Sequence, residues 1–322
     1  MMNMQTSYLN LNLKNPIIVA SSGLTKSADK IIACEEAGAA AVVVKSLFEE
    51  TLAQEEWGAA GHAEAYEYLR AELGKQYGPR DYCALLEAAK KKVTIPVIAS
   101  INCVSDKWWP DYARQMEASG ADALELNVYA LPTDPSQRPG EAEQIYVDIL
   151  VAVKARVKIP VALKIGRYFS NLTHLAAVLG RAGLDGLVLF NRFADLDMDV
   201  DKMQLQTSFT FSHEKEYHEA LRWIALLSGK VSCDLAATTG IHTGVEVIKM
   251  LLAGARAVQI ASLFYQKGLG QIRPMLEEIE AWMKRQQCEN LSDCIGKLSF
   301  VNSQTPEIYL RSQFMEKIRG WD

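Results

Sequence analysis

Four segments of the chain share one local grammar: "EEAGAAAVVVKS" from Glu35, "EASGADALELN" from Glu117, "GRAGLDGLVLFN" from Gly180 and "LLAGARAVQIAS" from Leu251. Each passes from a helical pattern to a glycine (Gly38, Gly120, Gly183, Gly254), then through a short link to an apolar run. Glycine suits the position just past a helix because it enters the left-handed conformation without a Cβ penalty. The apolar runs lack polar alternation, as strands buried on both faces of a parallel sheet require.

Two further runs, "VTIPVIASIN" and "VKIPVALKI", open on Pro96 and Pro160, at strand starts where a missing N–H is tolerated. "NPIIVASSG" and "KVSCDLAATTG" complete the set. Strands are expected near 16–20, 40–45, 96–101, 123–127, 160–164, 186–190, 231–237 and 257–260, with helical patterns such as "DYARQMEASG" and "GVEVIKMLLAG" between them. Strands alternating with helices in this way predict an α/β fold, a (β/α)8 TIM barrel, as a single domain over residues 1–322. A doubly wound open sheet obeys the same alternation and is the competing architecture. Residues 46–80 and 191–217 read as long insertions after strands two and six, and the stretch after Gln287 as a helical tail packed outside.

With 322 residues, 49% of them hydrophobic, the chain can bury a core of that size. A net charge of -5 without a basic cluster argues against nucleic acid or an anionic membrane as partner. No apolar run is long enough to span a bilayer, and the N-terminus shows no secretory signal pattern. The six cysteines have no CxxC or metal-ligand spacing. A cytoplasmic protein with reduced thiols is the expectation.

In a barrel of this kind the chemistry sits at the C-terminal ends of the strands. Those positions carry Ser21, Lys45-Ser46, Asn102, Asn127, Lys164, Asn191, Thr239-Gly240 and Ala261-Ser262. No convergent carboxylates or histidines stand there, so no metal site is expected. A GxSxG elbow is also absent. Asparagine presents a donor and an acceptor side by side, which suits the edge of a heterocycle with alternating C=O and N–H groups. A lysine beside it would stabilise negative charge developing on such a ring. Flavin meets both demands. The bland alternative is that these lysines and asparagines only satisfy one another under the loops. A lysine-based aldolase or phosphosugar lyase on Lys45 or Lys164 is a further alternative. "AATTGIHTG" and "VQIASLF" each end a strand and lead into a helix start, the usual place for a phosphate in this fold. One phosphate site without a GxGxxG turn points to FMN rather than FAD.

"NPIIVASSGL", "VVVKSLF", "LELN", "PVALKI", "LVLFNRF" and "TTGIHTGVEVIKMLLAGARAVQIAS" resemble, in order and spacing, the dihydroorotate dehydrogenase family, its soluble class 1 branch most closely. The resemblance runs from about Asn15 to Gly270. It implies a (β/α)8 barrel holding FMN, built as a homodimer and placed in pyrimidine biosynthesis. It further implies oxidation of dihydroorotate to orotate by hydride transfer to the flavin, with an acceptor such as fumarate. By position, Ser21, Lys45, Ser46, Asn102, Asn127 and Lys164 would contact FMN, and Thr239, Gly240, Ala261 and Ser262 would hold its phosphate, with Ser212 from the second insertion. Lys45, Asn127 and Asn191 would touch substrate. The family usually has Gly-Gly and Gly-Thr at the two phosphate pairs, which read Thr239-Gly240 and Ala261-Ser262 in this chain.

The resemblance fails in one place. The family's fourth strand continues as Asn-Leu-Ser-Cys-Pro-Asn, or with Ser for Cys, and that Cys or Ser is the base. This chain reads Asn127-Val128-Tyr129-Ala130-Leu131-Pro132. Ala130 cannot take a proton, Pro132 replaces a substrate-binding asparagine, and Tyr129 is at best a weak substitute. The family's substrate loop after strand two is also not found. The chain thus reads as a divergent member lacking the usual catalytic residue. Two alternatives follow: an FMN oxidoreductase acting on a different small planar substrate, and a flavin-binding protein without turnover. The loop from Asn127 to Gly140 is expected to act as the lid.

Overall fold

A computed structural model describes residues 2–48, 78–103, 109–128, 131–192, 195–208 and 210–310. The chain begins with an antiparallel hairpin, β1 (Thr6–Tyr8) and β2 (Leu11–Leu13). Parallel strands follow: β3 (Ile17–Val19), β4 (Ala41–Val43), the short β5 (Leu47–Phe48), β6 (Val97–Cys103), β7 (Ala123–Val128), β8 (Val161–Ile165) and β9 (Gly186–Leu189). A second antiparallel hairpin, β10 (Asp195–Asp199) and β11 (Gln204–Ser208), precedes β12 (Asp234–Thr238) and β13 (Ala257–Ile260). The order β4-β3-β13-β12-β9-β8-β7-β6 is closed by pairing of β4 with β6, with Val42 opposite Val97. This is the expected eight-stranded barrel, and the open sheet is excluded.

Around it lie α1 (Ala28–Glu36), α2 (Pro79–Lys90), α3 (Trp109–Ala118), α4 (Glu141–Lys154), α5 (Leu172–Arg181), α6 (Tyr217–Leu227) and α7 (Gly244–Ala253). The repeated grammar has a structural meaning. Gly38, Gly120, Gly183 and Gly254 all have positive φ, at 105°, 90°, 91° and 124°. Beside the first three of these glycines, acidic side chains tie neighbouring units together. Asp122 pairs with Lys90 at 2.7 Å and accepts from the N–H of Val97, and Asp185 pairs with Lys154 at 2.7 Å and accepts from the N–H of Val161. Glu35 and Glu117 accept N–H groups of Ile95 and Ile159, where the chain enters the next strand. These bonds join helix ends to the starts of β6 and β8.

Two apolar layers result. Outward-facing residues such as Val19, Val42, Val97 and Leu126 pack against the helices. Lumen-facing Ile18, Ala41, Ile98, Ala123, Ala162, Val188, Ala236 and Ala257 form a separate cluster with Tyr8, Leu9 and Leu13 of the first hairpin, which closes the N-terminal end. Gly186 is bare at this point because a Cβ would stand 2.5 Å from Leu9 Cδ2.

Two expectations need correction. The seventh strand begins at Asp234, because residues 231–233 form a bend rather than strand. The described part of the tail, residues 288–310, contains two 3₁₀ turns, Leu291–Cys294 and Pro306–Tyr309, instead of a continuous helix. It is pinned to the N-terminus, with Asn3 exchanging backbone hydrogen bonds with Glu289 and Leu291. This turn also brings Cys288 and Cys294 near each other, with their Cα atoms 7.3 Å apart. Beyond α7, the helices α8 (Ser262–Lys267) and α9 (Ile272–Arg285) complete the outer layer.

Candidate active site

The lumen polarity changes along each strand. Because side chains alternate, the residues two and four steps beyond the apolar layer face the same interior. On β6 the series is Ile98, Ser100, Asn102, and on β7 it is Ala123, Glu125, Asn127. Asn102 lies opposite Asn127, and Asn127 opposite Lys164 on β8. At this end a cleft opens, lined by Ser21, Lys164, Asn191, Ser212, Thr239, Gly240, Ala261 and Ser262, with Arg192, Ile241 and Gln259 among its other walls.

The remaining predicted residues do not line the cleft directly. Lys45 and Ser46 stand half-buried just past β4. Ser46 reaches the cleft through Ser21: its N–H donates to Ser21 Oγ at 2.9 Å, and the two hydroxyls are 2.9 Å apart. Ser46 Oγ also lies 2.8 Å from Ser100 Oγ, making a run of three hydroxyls from the lumen to the cleft. Ser100 is fixed by Tyr82 of α2, whose phenol oxygen accepts its N–H at 2.8 Å. Asn191 Nδ2 donates to Asn127 Oδ1 at 2.6 Å, so these two amides form one unit. Tyr129 and Ala130 lie outside the described residues. The described part of the expected lid, residues 131–140, lines none of the cleft and is almost wholly exposed, with Asp134 accepting from Ser136 in a local turn.

Loops after β9, β12 and β13 meet on the opposite side. The Ser212 N–H donates to Ser262 Oγ at 3.2 Å, and Ser212 Oγ lies 3.3 Å from Nε2 of buried His242. Arg192 holds the insertion in place through Glu216 (2.8 Å) and the carbonyl of Thr210 (2.5 Å). Burial would raise the Glu216 carboxyl, but hydrogen bonds from Arg192 and the His213 N–H, with the Arg192 charge, hold it below the usual range. Thr239 and Gly240 both have positive φ, +74° and +73°. The close approach that Gly240 permits is to the start of α6, where a Cβ would meet the Tyr217 nitrogen at 2.5 Å. The first turn of α7 is occupied by its own side of the protein: Gly244 N–H donates to Glu278 Oε2 at 2.7 Å.

Three buried polar side chains join at the floor of the cleft, two of which line it. Lys164 Nζ donates to Gln259 Oε1 at 3.2 Å, and Gln259 Nε2 donates to Glu125 Oε2. Gln259, Ser100, His242 and Arg192 were not among the predicted residues. Gln259 carried a signal, as a polar residue inside the apolar run "AVQIAS", and His242 another, within "TTGIHTG". Among the described residues, no group of three or more His, Cys, Asp and Glu side chains converges to hold a metal ion. Nor is any described helix long and apolar enough to cross a membrane.

The donor set fits a ligand with an anionic end and a flat polar ring. Hydroxyls of Ser212, Thr239 and Ser262 line the cleft together with Lys164 and Asn191, and Asn127 joins it through its bond to Asn191. Known proteins resemble the chain over most of its length. The model of the dihydroorotate dehydrogenase family matches residues 3–283. "Dihydroorotate dehydrogenase B (NAD(+)), catalytic subunit" of Thermoplasma acidophilum is 24% identical over 92% of this chain and 99% of its own. The protein of the same name from Methanocaldococcus jannaschii is 26% identical over 91% and 97%. "Dihydroorotate dehydrogenase A (fumarate)" of Lactobacillus helveticus is 24% identical over 64% and 68%.

Proposed function

We propose, for a chain that belongs to the dihydroorotate dehydrogenase family, an FMN-dependent oxidoreductase acting on a CH–CH bond, with dihydroorotate as the first substrate to test. The observation that carries this reading is the placement of Lys164, the joined Asn127–Asn191 amides and the Ser212–Ser262 hydroxyl wall around one cleft. FMN bound there would supply the two-electron acceptor. Ser212, Thr239, Gly240, Ala261 and Ser262 would hold its phosphate, and Ser21, Ser46, Asn102, Asn127 and Lys164 its ring system. The Lys164 ammonium would stabilise negative charge at the ring edge, which lowers the barrier to accepting a hydride. Asn127 and Asn191, with Lys45, would orient a planar substrate through paired donor and acceptor contacts.

Fumarate is the acceptor of this reading. NAD(+) competes with it, because relatives carrying that name match over nine-tenths of the chain. A homodimer is part of the proposal, supported by the β10–β11 hairpin. Leu196, Met198 and Leu205 stand 66%, 64% and 70% exposed on one of its faces, with Met198 directly opposite Leu205. Light scattering at micromolar concentration giving the mass of one chain would contradict the dimer.

A second reading has a specific basis in Ala130 and Pro132, which remove the family's base and one substrate amide. On it, the cleft binds FMN but serves another small planar substrate, or binds without turnover. One experiment separates the readings. The purified protein should be yellow, and mass spectrometry of the released cofactor should give FMN. Anaerobic addition of dihydroorotate should then bleach the flavin. A colourless protein sinks both readings; a yellow protein that dihydroorotate never reduces leaves the second.

A further inference from the structure

The Lys164–Gln259–Glu125 chain crosses the barrel. In the strand order, β13 stands diametrically opposite β7, four strands away in either direction. Gln259 projects from β13 across the lumen to reach Glu125 on β7 and Lys164 on its neighbour β8. All three side chains are buried, at 1%, 1% and 8% exposure for Gln259, Glu125 and Lys164. The polarity of the chain is fixed at both ends. An ammonium can only donate, so the Gln259 carbonyl must face Lys164; a carboxylate accepts, so the amide nitrogen must face Glu125. Turned over, the amide would lose both bonds and leave two charged groups unpaired in the barrel interior.

We infer that Gln259, anchored by Glu125 across the lumen, is the positioning residue for Lys164. The inference rests on the proposed role of Lys164 beside bound FMN and extends it to two residues that touch neither ring nor substrate in that proposal. Glu125 sits opposite Ala162, one inward-facing step below Lys164, and no ion pair within 4.0 Å joins the two directly. Its second oxygen, Oε1, has no hydrogen-bond partner, although it is buried. A buried carboxylate with a free oxygen is costly, and a barrel core would be simpler without it. Its bond to Gln259 gives it a use: it prevents the amide from turning, and so keeps a carbonyl aimed at the ammonium. A lysine has four rotatable bonds, and only this contact among the described hydrogen bonds holds its tip.

The test uses the FMN-loaded protein and reads the flavin's midpoint potential and the dissociation constant of FMN, neither of which is turnover. Lys164→Met should move the potential to a more negative value. Gln259→Met, nearly isosteric and uncharged, should move it in the same direction and weaken FMN binding by roughly tenfold, the scale of one hydrogen bond to a charged group. In the Lys164→Met background, Gln259→Met should change neither quantity further. Glu125→Gln, which keeps an oxygen able to accept from Gln259, should retain most of the FMN affinity that Glu125→Met loses. If Gln259→Met does not fold, Gln259→Asn makes the same test, since its amide is one methylene too short to touch both partners. Equal shifts from Gln259→Met in the presence and absence of Lys164 overturn the inference, as does no shift in a protein where Lys164→Met gives one. If Lys164→Met itself leaves potential and affinity unchanged, the proposed role of Lys164 beside the flavin falls and takes this inference with it.

Discussion

The same strands build both ends of this barrel, and the two ends have opposite chemistry. At the N-terminal end the lumen holds Ile98, Ala123, Ala162, Ala236 and Ala257 against the Tyr8–Leu13 hairpin. One inward step further along, the same strands present Ser100, Glu125, Lys164, Thr238 and Gln259. A step of two residues keeps the face and changes the layer. The lower layer can therefore carry stability and the upper one binding, and substitutions in one should leave the other's observable intact.

The largest expected effect tests the upper end alone. General-base catalysis contributes about 10²–10⁴ in rate, and Ala130 supplies none. Dihydroorotate should therefore reduce the bound flavin slower by about that factor than in a relative with Cys or Ser at this position. Ala130→Cys should recover part of the loss without altering thermal stability. Anaerobic stopped-flow reduction is the measurement. Fast reduction of the unaltered protein would mean that Tyr129 or a residue of the insertion after β4 acts as base.

The next effect tests the lower end. Leu13 is 1% exposed in the plug, and Leu13→Ala should cost about 2–5 kcal/mol of unfolding free energy by removing packed methyl groups and leaving a cavity. Flavin content and potential of the folded fraction should be unchanged. A shift in potential as large as that from Lys164→Met would show that the two ends are mechanically coupled and that the division is wrong.

The strands and their C-terminal residues were legible because the repeat puts a left-handed glycine before each of four apolar runs, and a strand end follows from its start. The hairpin β1–β2 carries no such signal. Its strands are three residues each, and Leu9 and Asn10 turn with positive φ at 55° and 57°, a conformation that asparagine tolerates but leucine does not mark. The β10–β11 hairpin is legible in principle, since "DLDMD" and "QLQTS" alternate, but it lies inside the long 191–217 insertion. At the site, Lys164 and the asparagines stood out because they end strands. Gln259 did not, because its partners lie 95 and 134 residues away and only closure of the barrel brings them together.

Acid separates the ends by sign. Glu216, near the cleft, has a depressed pKa, so its contribution is present above the ordinary carboxylate value and is lost as pH falls through the folded value. Glu216→Gln should cost about 1–3 kcal/mol at neutral pH, as for other hydrogen bonds to charged groups, and much less near pH 3. Asp234, under the plug, behaves oppositely. Burial raises its carboxyl, against the lowering effects of the Leu9 N–H and Arg256. The folded state then favours the protonated form, so the penalty exists above the folded pKa and is relieved as pH falls through it. Asp234→Asn should therefore be stabilising or neutral at pH 7 and lose that advantage in acid. Denaturant unfolding at both pH values reads the two signs, and parallel behaviour of the two variants would remove this distinction between the ends.

The smallest effect concerns Thr239, where the resembling family usually has glycine. Its φ of +74° places a β-branched residue in the left-handed region, at a cost of about 1–2 kcal/mol. Against this, Oγ1 donates to the Phe190 carbonyl at 3.2 Å, a bond worth about 0.5–1.5 kcal/mol. Replacement by glycine removes both the strain and the bond, and adds about 0.4–1 kcal/mol of chain entropy in the unfolded state. These terms nearly cancel, so Thr239→Gly should change stability by less than about 1 kcal/mol in either direction. Thr239→Ala keeps a Cβ at positive φ and loses the bond, and should be less stable than both. That order, alanine below glycine, is the reverse of what exposed helix or strand positions give. If alanine proves the more stable of the two, the backbone at 239–240 is not strained, and the hydroxyl of Thr239 rather than its φ decides the position.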